Sequence, residues 1–226
     1  MRQFSEHPCH SHSVLHELMV HLPYAVFSVA FGMALLSFTS FYTMGVTSPD
    51  TVRAGSDVLF HCFHFMHLVF AATGTVITFF RFSKSILGSV IVGTFSPIVF
   101  CMLSDAILPY IGGRMLGVSM TLHLCFLTEI YNVIPFLLVG LINGLVLSCH
   151  RASLLPMYSI FSHVIHILVS SLASTFYLIS HGFIRWYDDI GFVFLFLIVA
   201  VVLPCTLSDL VVPMLFAKAN NEHKKH

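Results

Sequence analysis

Charge is what this sequence has least of. Asp, Glu, Lys and Arg together make up 9% of its 226 residues, where a soluble domain carries about 25%. So little polar surface cannot cover a water-soluble body. The same shortage excludes a disordered chain, a charged coiled coil and a nucleic-acid-binding protein, each of which needs charge or a polar repeat. The ten Lys+Arg balance the ten Asp+Glu, so no net field steers a charged partner toward the chain. There is no C-x-x-C pair, and the six cysteines (Cys9, Cys62, Cys101, Cys125, Cys149, Cys205) mostly lie in or beside apolar runs. They read as packing residues rather than a disulfide framework. G-x-S-x-G, H-E-x-x-H and P-loop patterns are missing, which removes serine-hydrolase, zincin and ATP-driven chemistry from the expectations.

What is there is apolar. Hydrophobic residues reach 57% and the mean hydropathy is +0.92. A span needs about 20 apolar residues to cross a hydrocarbon core of about 30 Å, and six runs qualify, at 22–45, 58–80, 86–111, 131–147, 157–179 and 190–216. The first run is too long for a signal-peptide core and is expected to stay as a helix. The expected fold is an all-α, six-helix polytopic membrane protein with short loops. Arg2, Arg81, Lys84, Arg151, Lys218, Lys224 and Lys225 fall on one side of it, and Arg53, Arg114 and Arg185 on the other. By the positive-inside rule both termini are cytoplasmic, in a plasma or inner membrane.

The sequence also repeats itself. Cys101, Ser104, Asp105 and Pro109 recur at identical spacing as Cys205, Ser208, Asp209 and Pro213. The pair His64 and His67 is echoed by His163 and His166, and Glu17, Pro23 and Gly32 by Glu129, Pro135 and Gly144. The three signatures keep their order in both halves. Each half therefore reads as one three-helix unit, 22–111 and 131–217, flanked by a histidine-containing N-terminal segment (1–21) and a cytoplasmic tail (218–226). An apolar linker (112–130) between them reads either as a short interfacial or re-entrant helix or as a half-buried link between the repeats. An odd number of spans per unit inverts the second copy relative to the first, the arrangement of many transporters.

Ionisable groups inside a membrane cost about 2.5–3.5 kcal/mol each on insertion scales, so they mark function by default. His64 and His67 lie on one helix face, as do His163 and His166. Asp105 and Asp209 each stand four residues before a proline, and Pro109 and Pro213, lacking an N–H, are expected to break their helices and free a carbonyl beside each carboxylate. Imidazole with carboxylate suits Zn, Fe, Mn, Co or Ni rather than Mg or Ca. The metal-ligand candidates are thus His64, His67 and Asp105 in one cluster and His163, His166 and Asp209 in a second. The clusters are expected about 10–20 Å apart, or merged near the midplane if the helices are broken. Glu17, Glu129, His61, His123, Ser104 and Ser208 are further candidate ligands or proton-relay groups. Glu17 and Glu129 equally suit a helix N-terminus, and His7, Cys9, His10 and His12 suit either a metal-collecting segment or a solvated tail.

The function expected from these residues is a secondary transporter or permease for a divalent transition metal, working by alternating access and competing with protons. A passive channel or carrier of another small solute, with the His/Asp groups as a proton relay, is the nearest alternative. A membrane-embedded metalloenzyme comes from a different class, because two histidines and a carboxylate leave a position open on a metal. The expected partners are the lipid bilayer, a metal ion or small solute and, through glycine-containing helix faces, a second copy of the chain.

Overall fold

The computed structural model describes residues 14–43, 48–150 and 155–223. Its helices are α1 (Val14–Thr43), α2 (Pro49–Phe82), α3 (Ile86–Met102), α4 (Leu108–Met115), α5 (Cys125–Thr128), α6 (Ile130–His150), α7 (Leu155–Ser180), α8 (Ile190–Thr206) and α9 (Val212–His223). Among the described residues, five helical stretches are long and apolar enough to cross a membrane: Leu22–Phe41, Pro49–Phe82, Ile86–Met115, Ile130–Cys149 and Trp186–Glu222. In α7, the apolar stretch Val164–Ser180 lies at the position of the remaining expected span. The chain is an all-α polytopic bundle.

One boundary differs from the hydropathy reading. Helix α2 begins at Pro49, well before the apolar run at 58, because Ser48 caps it by accepting the Thr51 N–H at 3.3 Å and Pro49 takes the first helical position. The extension carries Asp50, Arg53 and Asp57, which is why hydropathy alone starts the helix too late.

Helices α2 and α7 form the centre and pack most extensively on each other; α3 and α6 flank α2, while α1 and α8 flank α7. The outer helices turn large apolar side chains outward, among them Phe27, Phe41, Phe95 and Leu195. Such an exposed apolar band is what a lipid-facing surface requires. Close approach of α6 to α2 depends on two glycines: a Cβ at Gly140 would meet the Val69 carbonyl oxygen at 2.7 Å, and one at Gly144 would meet Val76 Cβ at 2.8 Å. This small-xxx-small stripe packs α6 against α2 within the chain.

Two further expectations are corrected. The linker forms no continuous re-entrant helix: α4 runs into it and ends at Met115, residues 118–124 are irregular, and the single turn α5 follows. Gly117, at φ +77°, ends α4, and the loop is held by Tyr177, whose hydroxyl accepts the His123 N–H at 3.1 Å and donates to the Thr121 carbonyl at 3.4 Å. Nor does the chain break at Pro109 or Pro213. It passes through π turns at Leu103–Ile107 and Leu207–Val211. The Leu108 N–H reaches back five residues to Leu103, and the Val212 N–H does the same to Leu207. The wider turn absorbs the missing proline donor without ending the helix.

Candidate metal centre

Each π turn places a carboxylate in the middle of the bundle. Asp105 is fully buried, and four donors surround it. His64 Nδ1 and His67 Nδ1 lie 2.9 and 2.6 Å from its Oδ2; the Ser104 and Ser170 hydroxyls donate to its Oδ1 at 2.7 and 2.8 Å. An ionised carboxylate only accepts, so both rings carry their proton on Nδ1 and keep the lone pair on Nε2. That is the form in which histidine binds metal, with an acid behind it fixing the tautomer and ring angle. On the other side, Asp209 Oδ2 makes a very short contact with His166 Nδ1, which leads to the same assignment. Gly74 makes room for this carboxylate, since a Cβ there would meet Asp209 Oδ2 at 2.8 Å.

The π turns also rearrange the backbone in parallel ways. The Ser104 carbonyl accepts the Ser174 hydroxyl of α7 at 3.0 Å. The Ser208 carbonyl accepts the Thr75 hydroxyl of α2 at 3.1 Å and the Ser96 hydroxyl at 3.2 Å. Ser174 stands eight residues after His166, as Thr75 stands eight after His67. The second helix of each half thus satisfies the π turn of the other half, so the polar interior carries its hydrogen bonds across the α2–α7 contact.

At that contact the two expected clusters meet. The His67 and His166 rings are 4.4 Å apart, centroid to centroid. The Cys101 and Cys205 sulfurs each lie 3.7 Å from His67 Nε2. Ligand atoms of His67, His166 and Cys205, all buried, lie within 4.8 Å of one another. This arrangement can hold a metal ion between two imidazoles and a thiolate. The grouping differs from the one expected: Asp105 and Asp209 face the rings rather than a shared ligand point, and a cysteine takes the place foreseen for a carboxylate. His64 serves Asp105 and stacks on Phe60 with ring centroids 5.4 Å apart. Ser104 and Ser208 act through hydrogen bonds. His163 falls on α7 and Glu17 on α1, but both side chains lie outside the described residues. Cys9, like the other N-terminal candidates through His12, also lies outside them.

A second group forms where the linker loop meets the N-terminal half of α2. His61, His123 and Cys125 present ligand atoms within 4.8 Å of one another, and Glu129 Oε1 lies 2.9 Å from His61 Nε2 and 3.6 Å from His123 Nε2. Burial, and next the negative charge of Glu129, pushes the Cys125 thiol up to about 12. Nearby His181, stacked on Tyr177 with centroids 4.0 Å apart, is held below the ordinary histidine range by burial.

The cysteines are what sequence reasoning missed. Their signal was present: Cys101 and Cys205 recur four residues before Asp105 and Asp209, one helical turn away and on the same face. The chain is thus a multi-pass helical protein with two His/Cys/acid clusters capable of holding a metal. Comparison with protein-family models, curated proteins and solved structures gives no match to this chain.

Proposed function

We propose that this chain is a secondary transporter for a divalent transition metal, built from two inverted three-helix units whose shared transport site is His67, His166 and Cys205. The observation that carries this reading is the meeting of His67 and His166, equivalent positions of the two halves, ring against ring in the buried centre. An ion bound there is held by both halves at once. Rocking one half against the other then changes the side from which it is reached, which is alternating access.

Two features of packing support the inverted arrangement. Helix α1 packs on α7 and α6 packs on α2, so the first helix of each half lies against the second helix of the other. The hydroxyl-to-carbonyl bonds of Ser174 and Thr75 are exchanged in the same reciprocal way. The donor set narrows the ion. Imidazole with thiolate favours zinc over manganese or an alkaline-earth ion, and two buried carboxylates behind the rings offset the charge of a divalent cation. In a low-dielectric interior that compensation decides whether the ion enters at all.

The test is uptake into vesicles. The purified chain, reconstituted around a zinc-sensitive dye, takes up Zn²⁺, and His67→Ala or His166→Ala abolishes it; wild-type vesicles that stay dark overturn the reading. A metal-dependent membrane enzyme is the second reading, favoured by the three-donor set, which leaves a fourth position for water. It predicts bound zinc without uptake.

A further inference from the structure

We propose that His61, His123, Cys125 and Glu129 form a second divalent-metal site, which loads the central one along a ladder of histidines on α2. His61 Nδ1 lies 2.8 Å from the Asp57 carbonyl, which only accepts, so Nδ1 carries the proton and the neutral ring has its lone pair on Nε2. That lone pair faces the Glu129 carboxylate at 2.9 Å and His123 Nε2 at 3.4 Å. With Nδ1 of His61 protonated, His61 Nε2 and the Glu129 oxygen are both acceptors, so at 2.9 Å a proton or a metal ion lies between them.

The four donors together point to a metal ion: a single proton accounts for the contact to Glu129 but not for the approach of the Cys125 sulfur to both histidines. The Cys125 sulfur, fully enclosed at 1% exposure, lies within ligand reach of both histidines. Two imidazoles, a thiolate and a carboxylate are a complete four-donor set for zinc or cobalt. The four residues come from separate elements, α2, the linker loop, α5 and the turn before α6, so the ion would tie the loop to the bundle.

The site lies at the start of a route. His61, His64 and His67 follow one another at intervals of three along α2, which covers about 9 Å of helix axis. His64 stands between this group and the centre along α2, already held by Asp105. His64 is thus the one imidazole that α2 offers an ion between His61 and His67. This route, though not the site, rests on the transport reading above.

Cobalt tests the site without requiring transport. The full chain in detergent is stripped with chelator and titrated with Co²⁺. The His61→Ala/His123→Ala variant is expected to bind one equivalent fewer than wild type. In the His67→Ala/His166→Ala background, a thiolate-to-cobalt absorption band should remain and vanish with Cys125→Ser. An unchanged stoichiometry in the first variant, or a band that survives Cys125→Ser, overturns the site. Should the double alanine variant fail to fold, Cys125→Ser in the otherwise wild-type chain gives the same answer through loss of part of the band. For the route, half-saturation of Zn²⁺ uptake should rise at least about tenfold in His61→Ala/His123→Ala; an unchanged value overturns it. Wild-type vesicles without uptake, together with the lost cobalt equivalent, leave the site standing and remove both the route and the transport reading.

Discussion

Asp105 is not aimed at a shared ligand point: its Oδ2 accepts from both His64 and His67, at 2.9 and 2.6 Å, and so turns the Nε2 of His67 toward Cys101 and Cys205. The carboxylate works through the ring it holds. Asp105→Asn leaves every metal donor in place but removes the negative charge behind the rings and turns an amide N–H toward the ring N–H groups or the Ser104 and Ser170 hydroxyls. Central zinc affinity should fall about 10–100-fold, the usual effect of removing an acid behind a ligating histidine. Competition with a calibrated zinc chelator measures it, and an unchanged affinity would show that Asp105 has no hold on the site.

Gly74 gives a test that touches neither ligand nor acid. A Cβ at this position meets Asp209 Oδ2 at 2.8 Å, and the carboxylate must shift. Gly74→Ala is expected to weaken zinc binding at His166 and to lower stability by about 1–3 kcal/mol, the range for overpacking a filled interior. Thermal unfolding in detergent together with zinc competition reads both effects; a variant as stable and as tight as wild type contradicts the packing argument.

The π turns make their own prediction. The Ser174 hydroxyl shares its proton between the Ser104 carbonyl at 3.0 Å and the Ser170 carbonyl at 2.8 Å, and without it the Ser104 carbonyl loses its donor from α7. Ser174→Ala should cost about 1 kcal/mol, between the modest average for hydrogen bonds in membranes and the larger penalty for a stranded buried acceptor. Thr75→Val should cost less, because Ser96 also reaches the Ser208 carbonyl, at 3.2 Å. Denaturation of the two variants side by side checks the order, and the reverse order is the contrary result.

His181 links stability to pH. Burial lowers its pKa in the folded chain, so the folded state binds fewer protons there than the unfolded state, whose value is about 6.5. Its contribution is complete above that value and is lost as pH falls through the lower folded one. His181→Phe keeps a ring against Tyr177 and removes the titration. The variant should show a smaller loss of melting temperature on acidification below about pH 6.5; a decline as steep as wild type would assign it to other groups.

Much of the fold was legible because a membrane admits few solutions. Runs of about 20 apolar residues must be helices, and those read at 86–111, 131–147 and 190–216 lie within observed helical stretches. The chemistry was legible in outline because histidine and aspartate are rare inside a membrane, and here they recur in register. What one sequence does not carry is which helix faces which. His67 meets His166 because α2 packs on α7, a contact across the two halves that no spacing within one helix reveals. The division of labour followed from that contact: once the rings meet, the aspartates fall behind them and Cys205 comes beside them. The prolines misled for a local reason, since a π turn dispenses with the same donor that a helix break would.

The proposed function requires a metal ion held between His67 and His166, one from each half of the chain. Anomalous scattering at the zinc edge, from crystals of the stripped protein resupplied with Zn²⁺, tests it most directly. A peak is expected about 2.0–2.4 Å from nitrogen atoms of His67 and His166 and from the Cys205 sulfur, lost in His67→Ala. Zinc found only elsewhere, with these three side chains bonded to one another or turned away, would contradict it.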